Sequence, residues 1–253
     1  MKKIVFLILV VIVVSKIPSY VNASTNLEED IIEAVRDNKV ELSISEYQVT
    51  PEEALRVYFN LHTSNPDLAY ADNNAKCIYK DGRALKLCMA YKIAPTEIER
   101  EKEAVNGEIE RICSLCSGEL ADIDKVKIVY RHLIHSTVYS SNGEYATPYE
   151  LLINKRGTCL SYAYSFKLIM DKLGIPSEIV SSRSMRHAWN IVKLGDSWYH
   201  IDLAYSNIDS NQLKEAVYAN ALKSDTYFKS VGYREWETTG NLICDNTRYD
   251  SLM

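Results

Sequence analysis

Glycine and proline are scarce in this 253-residue chain, at nine and six. That scarcity excludes collagenous, Pro-rich and Gly-rich disordered architectures. No internal repeat or low-complexity segment is present. The G-x-S-x-G elbow, the phosphate-binding loop and the dinucleotide fingerprint are all missing, which removes the hydrolases and nucleotide enzymes built on them. An excess of positive charge is also lacking: the formal net charge is −5 and no basic stripe occurs, so nucleic acid is not an expected partner. What remains is 47% hydrophobic and 25% charged residues, the composition of an ordinary globular protein.

The longest apolar run lies at the start. Lys2 and Lys3 precede an unbroken stretch from Ile4 to Val14, followed by Lys16, Pro18 and Val21-Asn22-Ala23. A basic start, a short apolar stretch and small residues before the cut describe a secretory signal peptide over residues 1–23. The run falls short of the roughly 20 residues of a membrane span, with an uncleaved anchor as the alternative. Residues 1–23 hold three lysines and no acid, so cleavage takes the net charge from −5 to −8. The expectation is a secreted, extracellular or cell-envelope protein with no stable membrane span after cleavage.

Six cysteines stand at 77, 88, 113, 116, 159 and 244. An even number in an exported protein points to disulfides. Cys77 and Cys88 are the best pair: a loop of Asp81-Gly82-Arg83-Ala84 would set them opposite each other on a hairpin.

Helical spacing or capping signals predict helices over 27–36, 51–61, 95–116, 124–135, from Thr147-Pro148, over 159–173, and from Gln212 to about Leu222. Strands are expected at 76–79, 84–93, 178–182, 185–194 and 197–203. Helices followed by consecutive strands argue an α+β fold.

Cys159 opens a helix after Arg156-Gly157-Thr158, where the helix dipole favours a thiolate. A buried structural cysteine is the plainer alternative. Leu194-Gly195-Asp196-Ser197 reads as a tight turn, so that paired residue numbers in the flanking strands sum to 391. His187 then opposes Ala204 and Asp202 opposes Trp189, which puts His187 and Asp202 diagonally on one face. Either could be plain structure alone. Together, a helix-opening thiol, an imidazole and a carboxylate form a nucleophile, a base and an orienting group for acyl transfer.

Three segments carry a resemblance: Arg156-Gly157-Thr158-Cys159-Leu160-Ser161-Tyr162-Ala163, then His187-Ala188-Trp189-Asn190, then Trp198-Tyr199-His200-Ile201-Asp202. In this order and spacing they resemble the core motifs of the transglutaminase-like superfamily. The resemblance implies a papain-like fold, with a nucleophile helix packed on an antiparallel sheet and an N-terminal helical and hairpin extension. It divides the chain into a signal peptide (1–23), an N-terminal region (24–120), a catalytic core (121–228) and a C-terminal tail (229–253). It also implies a Cys159-His187-Asp202 triad acting on protein or peptide amides, by cross-linking or deamidation, without a cofactor. A cysteine peptidase with the same triad is an alternative, as is a non-catalytic interaction module. Trp189 and Tyr162 are candidates to line the site, or else core residues. Ser161 replaces the Gly of many relatives, and Leu203-Ala204-Tyr205 replaces Pro-Thr-Trp; both departures bear on the substrate more than on the reaction.

Cys113-x-x-Cys116 with His132-x-x-His135 offers two sulfurs and two imidazoles for zinc. Both pairs fall on expected helices and the histidine gap is short, so the expectation is no metal.

Overall fold

A computed structural model describes residues 24–141, 146–205 and 220–252. The expected signal peptide lies outside these residues, as do most of the helix expected from Gln212 and half of the turn at Ser140–Gly143. No helix among the described residues is long and apolar enough to cross a membrane. The chain divides into two compact units, one of residues up to His62 plus Ala71–Lys92, the other of Thr63–Tyr70 plus residues from Ile93 onward.

In the first unit, α1 (Ser24–Arg36) buries Leu27, Ile31, Ala34 and Val35, the i, i+4, i+7, i+8 face of a helix. It accompanies a three-stranded antiparallel sheet of β1 (Glu41–Ser43), β3 (Arg83–Cys88) and β2 (Lys76–Lys80), with β3 in the middle. In α2 (Pro51–Ser64), Thr50 caps the helix through the Glu53 amide. The β2–β3 hairpin turns on Asp81-Gly82, both at positive φ (50° and 77°), so its loop has two residues and Lys80 pairs with Arg83. A bulge follows between Ile78 and Tyr79, after which Cys77 faces Leu87 and Cys88 faces Lys76. The expected four-residue loop was two residues too long. Cys77 and Cys88 are therefore not opposite each other, and all six cysteines are free.

The second unit is built on a five-stranded sheet in the order β10-β6-β7-β8-β9, antiparallel throughout. Its strands are β6 (Ser177–Ser182), β7 (His187–Leu194), β8 (Ser197–Ile201), β9 (Ala221–Lys223) and β10 (Trp236–Glu237). Among the described residues its α-helices are α3 (Pro95–Ser114), α4 (Asp122–Ser136), α5 (Pro148–Leu152), α6 (Cys159–Leu173) and α7 (Asp225–Ser230). A parallel two-stranded pair, β4 (Val138–Tyr139) with β5 (Arg156–Gly157), leads into α6. This is the α+β architecture expected of a papain-like core.

The central strands β6, β7 and β8 bury residues on both faces. Val192, Tyr199 and Ile201 join Val129, Tyr130, Leu133, Phe166 and Ile169 of α4 and α6 in one core. Val180, Trp189 and Ile191 form a second core with Phe228, Tyr233 and Cys244 from the C-terminal segment. That segment thus covers the sheet's other face. Lys223, buried in β9, fastens the chain's last residues, its Nζ donating to the carbonyls of Tyr249 (3.1 Å), Asp250 (2.9 Å) and Leu252.

The β7–β8 register has Leu194 opposite Ser197 and Asn190 opposite Ile201, the expected sum. The ladder stops there. Residues 203–205 form a helical turn rather than the end of β8, and Ala221–Lys223 are strand where the Gln212 helix was expected to finish. β1, β4, β5, β9 and β10 have two or three residues each, too few to leave a periodicity.

Candidate active site

The local geometry at the nucleophile starts with Gly157. A Cβ there would meet Ser161 Cβ at 2.6 Å and Oγ at 2.9 Å, so the absence of a side chain lets β5 lie against the first turn of α6. Ser161, wholly buried, accepts the Thr158 amide on its Oγ (3.1 Å), and the Tyr162 amide donates to the Thr158 carbonyl (3.2 Å). These bonds open α6 at Cys159, which stays partly exposed with its sulfur at the positive end of the helix. Ser161 therefore supports the helix start from beneath. At the other end, Gly174 in the left-handed region closes α6.

His187 is the first residue of β7 and Asp202 follows the last of β8. Although the ladder ends before either is paired, His187 Nε2 lies 2.5 Å from Asp202 Oδ2. Asp202 is fixed on three further sides. Its amide donates to the Asn220 carbonyl (2.8 Å), its Oδ1 accepts the Tyr205 amide (2.9 Å), and Oδ2 also accepts the Tyr233 hydroxyl (2.6 Å). A carboxylate with no exposed surface would be costly without such donors.

Cys159 lies near enough to His187 to act on its charge. Burial alone pushes the imidazole pKa down. The bond to Asp202 and the influence of Asp202 and Cys159 outweigh burial and raise it to about 10. At neutral pH a ring raised that far carries its second proton, and Nε2 donates to Asp202. Asn190 Nδ2 donates to the Ala163 carbonyl (3.0 Å), tying β7 to α6. The structure thus brings Cys159, His187 and Asp202 together.

It places the other two site candidates in the core. Tyr162 is 1% exposed and its hydroxyl pairs with Thr137 (2.8 Å). Trp189, equally buried, stacks on His187 with ring centroids 5.7 Å apart and 25° between planes. Tyr233 and the Tyr205 amide escaped the sequence reading, because a contact spanning 31 residues, from Asp202 to a segment read as a tail, leaves no periodic trace.

Cys113, Cys116, His132 and His135 do not form a ligand set. Cys116 Sγ points to the Lys125 carbonyl (3.9 Å) and His132 Nε2 meets Arg111 (3.3 Å). Among the described residues, the group with metal-ligand spacing is His200, Asp225 and Cys244, within 4.8 Å of one another. Their hydrogen bonds do not suit a cation. Trp189 Nε1 donates to His200 Nδ1 (2.9 Å), so the neutral ring carries its proton on Nε2, which donates to Asp225 Oδ1 (2.8 Å). Burial, with Asp225 nearby, also raises the Cys244 thiol, which stays protonated. The trio is a hydrogen-bonded brace between β8 and the start of α7.

Among known proteins, the chain is similar over part of its length to several solved structures, two of which follow. A TGase shares 12% identity over 58% of this chain and 46% of its own, with a TM-score of 0.36. The periplasmic domain of TgpA from Pseudomonas aeruginosa shares 12% identity over 62% of this chain and 68% of its own, with a TM-score of 0.33. The chain thus spans less than half the length of that TGase. No curated protein matches it. The family model of the transglutaminase-like superfamily matches residues 111–203, a stretch that holds Cys159, His187 and Asp202. Over that region, which is less than half of its length, the chain is similar to the transglutaminase-like superfamily.

Proposed function

We propose that this protein is an exported thiol enzyme that transfers acyl groups from protein or peptide carboxamides, with Cys159 as nucleophile, His187 as proton carrier and Asp202 as its orienting partner. The observation that supports this most is His187 hydrogen-bonded to the buried Asp202 while Cys159, at the start of α6, lies near enough to act on the same ring. Export rests on residues 1–23.

In this reading the Cys159 thiolate attacks the carboxamide carbon, and backbone amides at the start of α6 hold the resulting oxyanion. The C–N bond breaks as His187 passes its proton to the departing ammonia or amine, leaving a thioester on Cys159. An incoming amine or water then attacks, gives its proton to His187, and releases a cross-linked or hydrolysed product with the thiolate restored. Trp189 supports the imidazole from behind.

Two assays test the proposal. Iodoacetamide near neutral pH is expected to label Cys159 ahead of the other five thiols, with His187→Ala removing that preference. With a glutamine-bearing peptide library, ammonia release or amine incorporation is the expected product. Peptide cleavage without either reassigns the site to a peptidase. Labelling of Cys159 at the rate of the remaining thiols leaves only a non-catalytic interaction module.

A further inference from the structure

We propose that Tyr233 is a positioning residue of this site, its hydroxyl holding the Asp202 oxygen that His187 faces and so setting the orientation and basicity of the imidazole. The inference rests on the triad reading above and deepens it.

Asp202 Oδ2 receives two donors, His187 Nε2 at 2.5 Å and the Tyr233 hydroxyl at 2.6 Å. An O–H···O⁻ contact of that length lies in the charge-assisted range. The phenol cannot swing aside. Its ring is buried at 4% exposure, edge-on to Trp189 at 5.1 Å, against Phe228 at 4.1 Å and near Tyr205 at 6.1 Å. Trp189 in turn stacks on His187, so one aromatic group braces both the imidazole and the tyrosine that holds its partner.

Two donors on one oxygen compete for its electron density. The tyrosine proton weakens Oδ2 as an acceptor and limits how tightly the imidazolium is held. Without it, the carboxylate turns its full basicity on His187 and the imidazole becomes harder to deprotonate. Burial, then the Asp202 charge and hydrogen bond, keep the phenol well above its ordinary value, so it remains a donor at any working pH. Among the described residues, the other ionisable groups facing this cluster are Cys159 at the start of α6, Tyr139 in β4, Tyr130 in α4, Tyr205 after Asp202, and His200 in β8.

The test is an NMR titration of ring-labelled histidine in the wild-type chain and in Tyr233→Phe, with Cys159 alkylation rates followed against pH on the same samples. The His187 titration is expected to move up by about one unit, the alkaline limb of alkylation to move with it, and the other four histidines to stay in place. A purely structural tyrosine would lower thermal stability and leave the His187 titration where it was. A folded Tyr233→Phe whose His187 titration coincides with wild type, or moves down, overturns the proposal. If Tyr233→Phe does not fold, 3-fluorotyrosine at position 233 alone supplies a stronger donor and is expected to move His187 downward; an unmoved titration there overturns it equally. Failure of the triad reading is a separate result: Cys159 in the wild type alkylates no faster than the other thiols, whatever His187 does.

Discussion

His187 Nε2 and Asp202 Oδ2 sit 2.5 Å apart although the β7–β8 ladder ends at Asn190 and Ile201, before either residue is paired. The strands set the direction of both residues, and the turn after Asp202, capped by its own Oδ1, sets the distance. In Asp202→Asn the carbonyl oxygen can still cap that turn, but the negative charge beside the imidazole is gone. The expected result is a folded protein whose amide turnover, or Cys159 alkylation at neutral pH, falls about 100-fold or more. Retention of wild-type rates would remove Asp202 from the site.

The raised pKa of His187 links the site to stability. Burial opposes the charged ring, while Asp202 and Cys159 together raise its value to about 10, against an ordinary 6.5. The folded state therefore binds the proton more tightly than the unfolded chain. This stabilisation is fully present below pH 6.5 and is lost as pH rises through about 10. The difference in melting temperature between wild type and His187→Ala should be largest near pH 6 and shrink steadily toward pH 10. A gap that stays constant over this range would contradict the charged imidazole.

In the first unit the sign reverses. His62 is buried, bonded through Nε2 to the Ala71 carbonyl (3.1 Å), and lowered to about 4 by burial and then by Lys92. The unfolded chain takes up the proton first, so stability holds above pH 6.5 and falls as pH drops from 6.5 toward 4, by up to about 3 kcal/mol. His62→Gln retains an N–H donor and cannot titrate. Its urea midpoint should change less with pH over that window than the wild type's does.

Gly157 and Ser161 form a matched pair. Gly157→Ala places a methyl group within 3 Å of Ser161 and should destabilise the fold by about 1–3 kcal/mol while slowing Cys159 alkylation, since the clash displaces the first turn of α6. Adding Ser161→Gly removes the obstructing Cβ and should recover part of both losses. A double-mutant cycle with no coupling between the two positions would show that the close approach is not what holds the helix start.

The sequence by itself determined the α+β class, the opening of α6 at Cys159 and its end at Gly174, and the β7–β8 register, because helix caps, tight turns and period-two alternation act over a few residues. The register alone placed His187 and Asp202 on one side of one hairpin. The tertiary structure decided what long-range packing controls. The bulge beyond the Asp81-Gly82 turn fixed the β2–β3 register, leaving Cys77 opposite Leu87 and not Cys88. The second core drew Trp189 behind the imidazole instead of beside a substrate, and carried Tyr233 from a segment read as a tail onto the Asp202 carboxylate. Two- and three-residue strands and contacts across tens of residues have no local energetic signature, so only the folded chain reveals them.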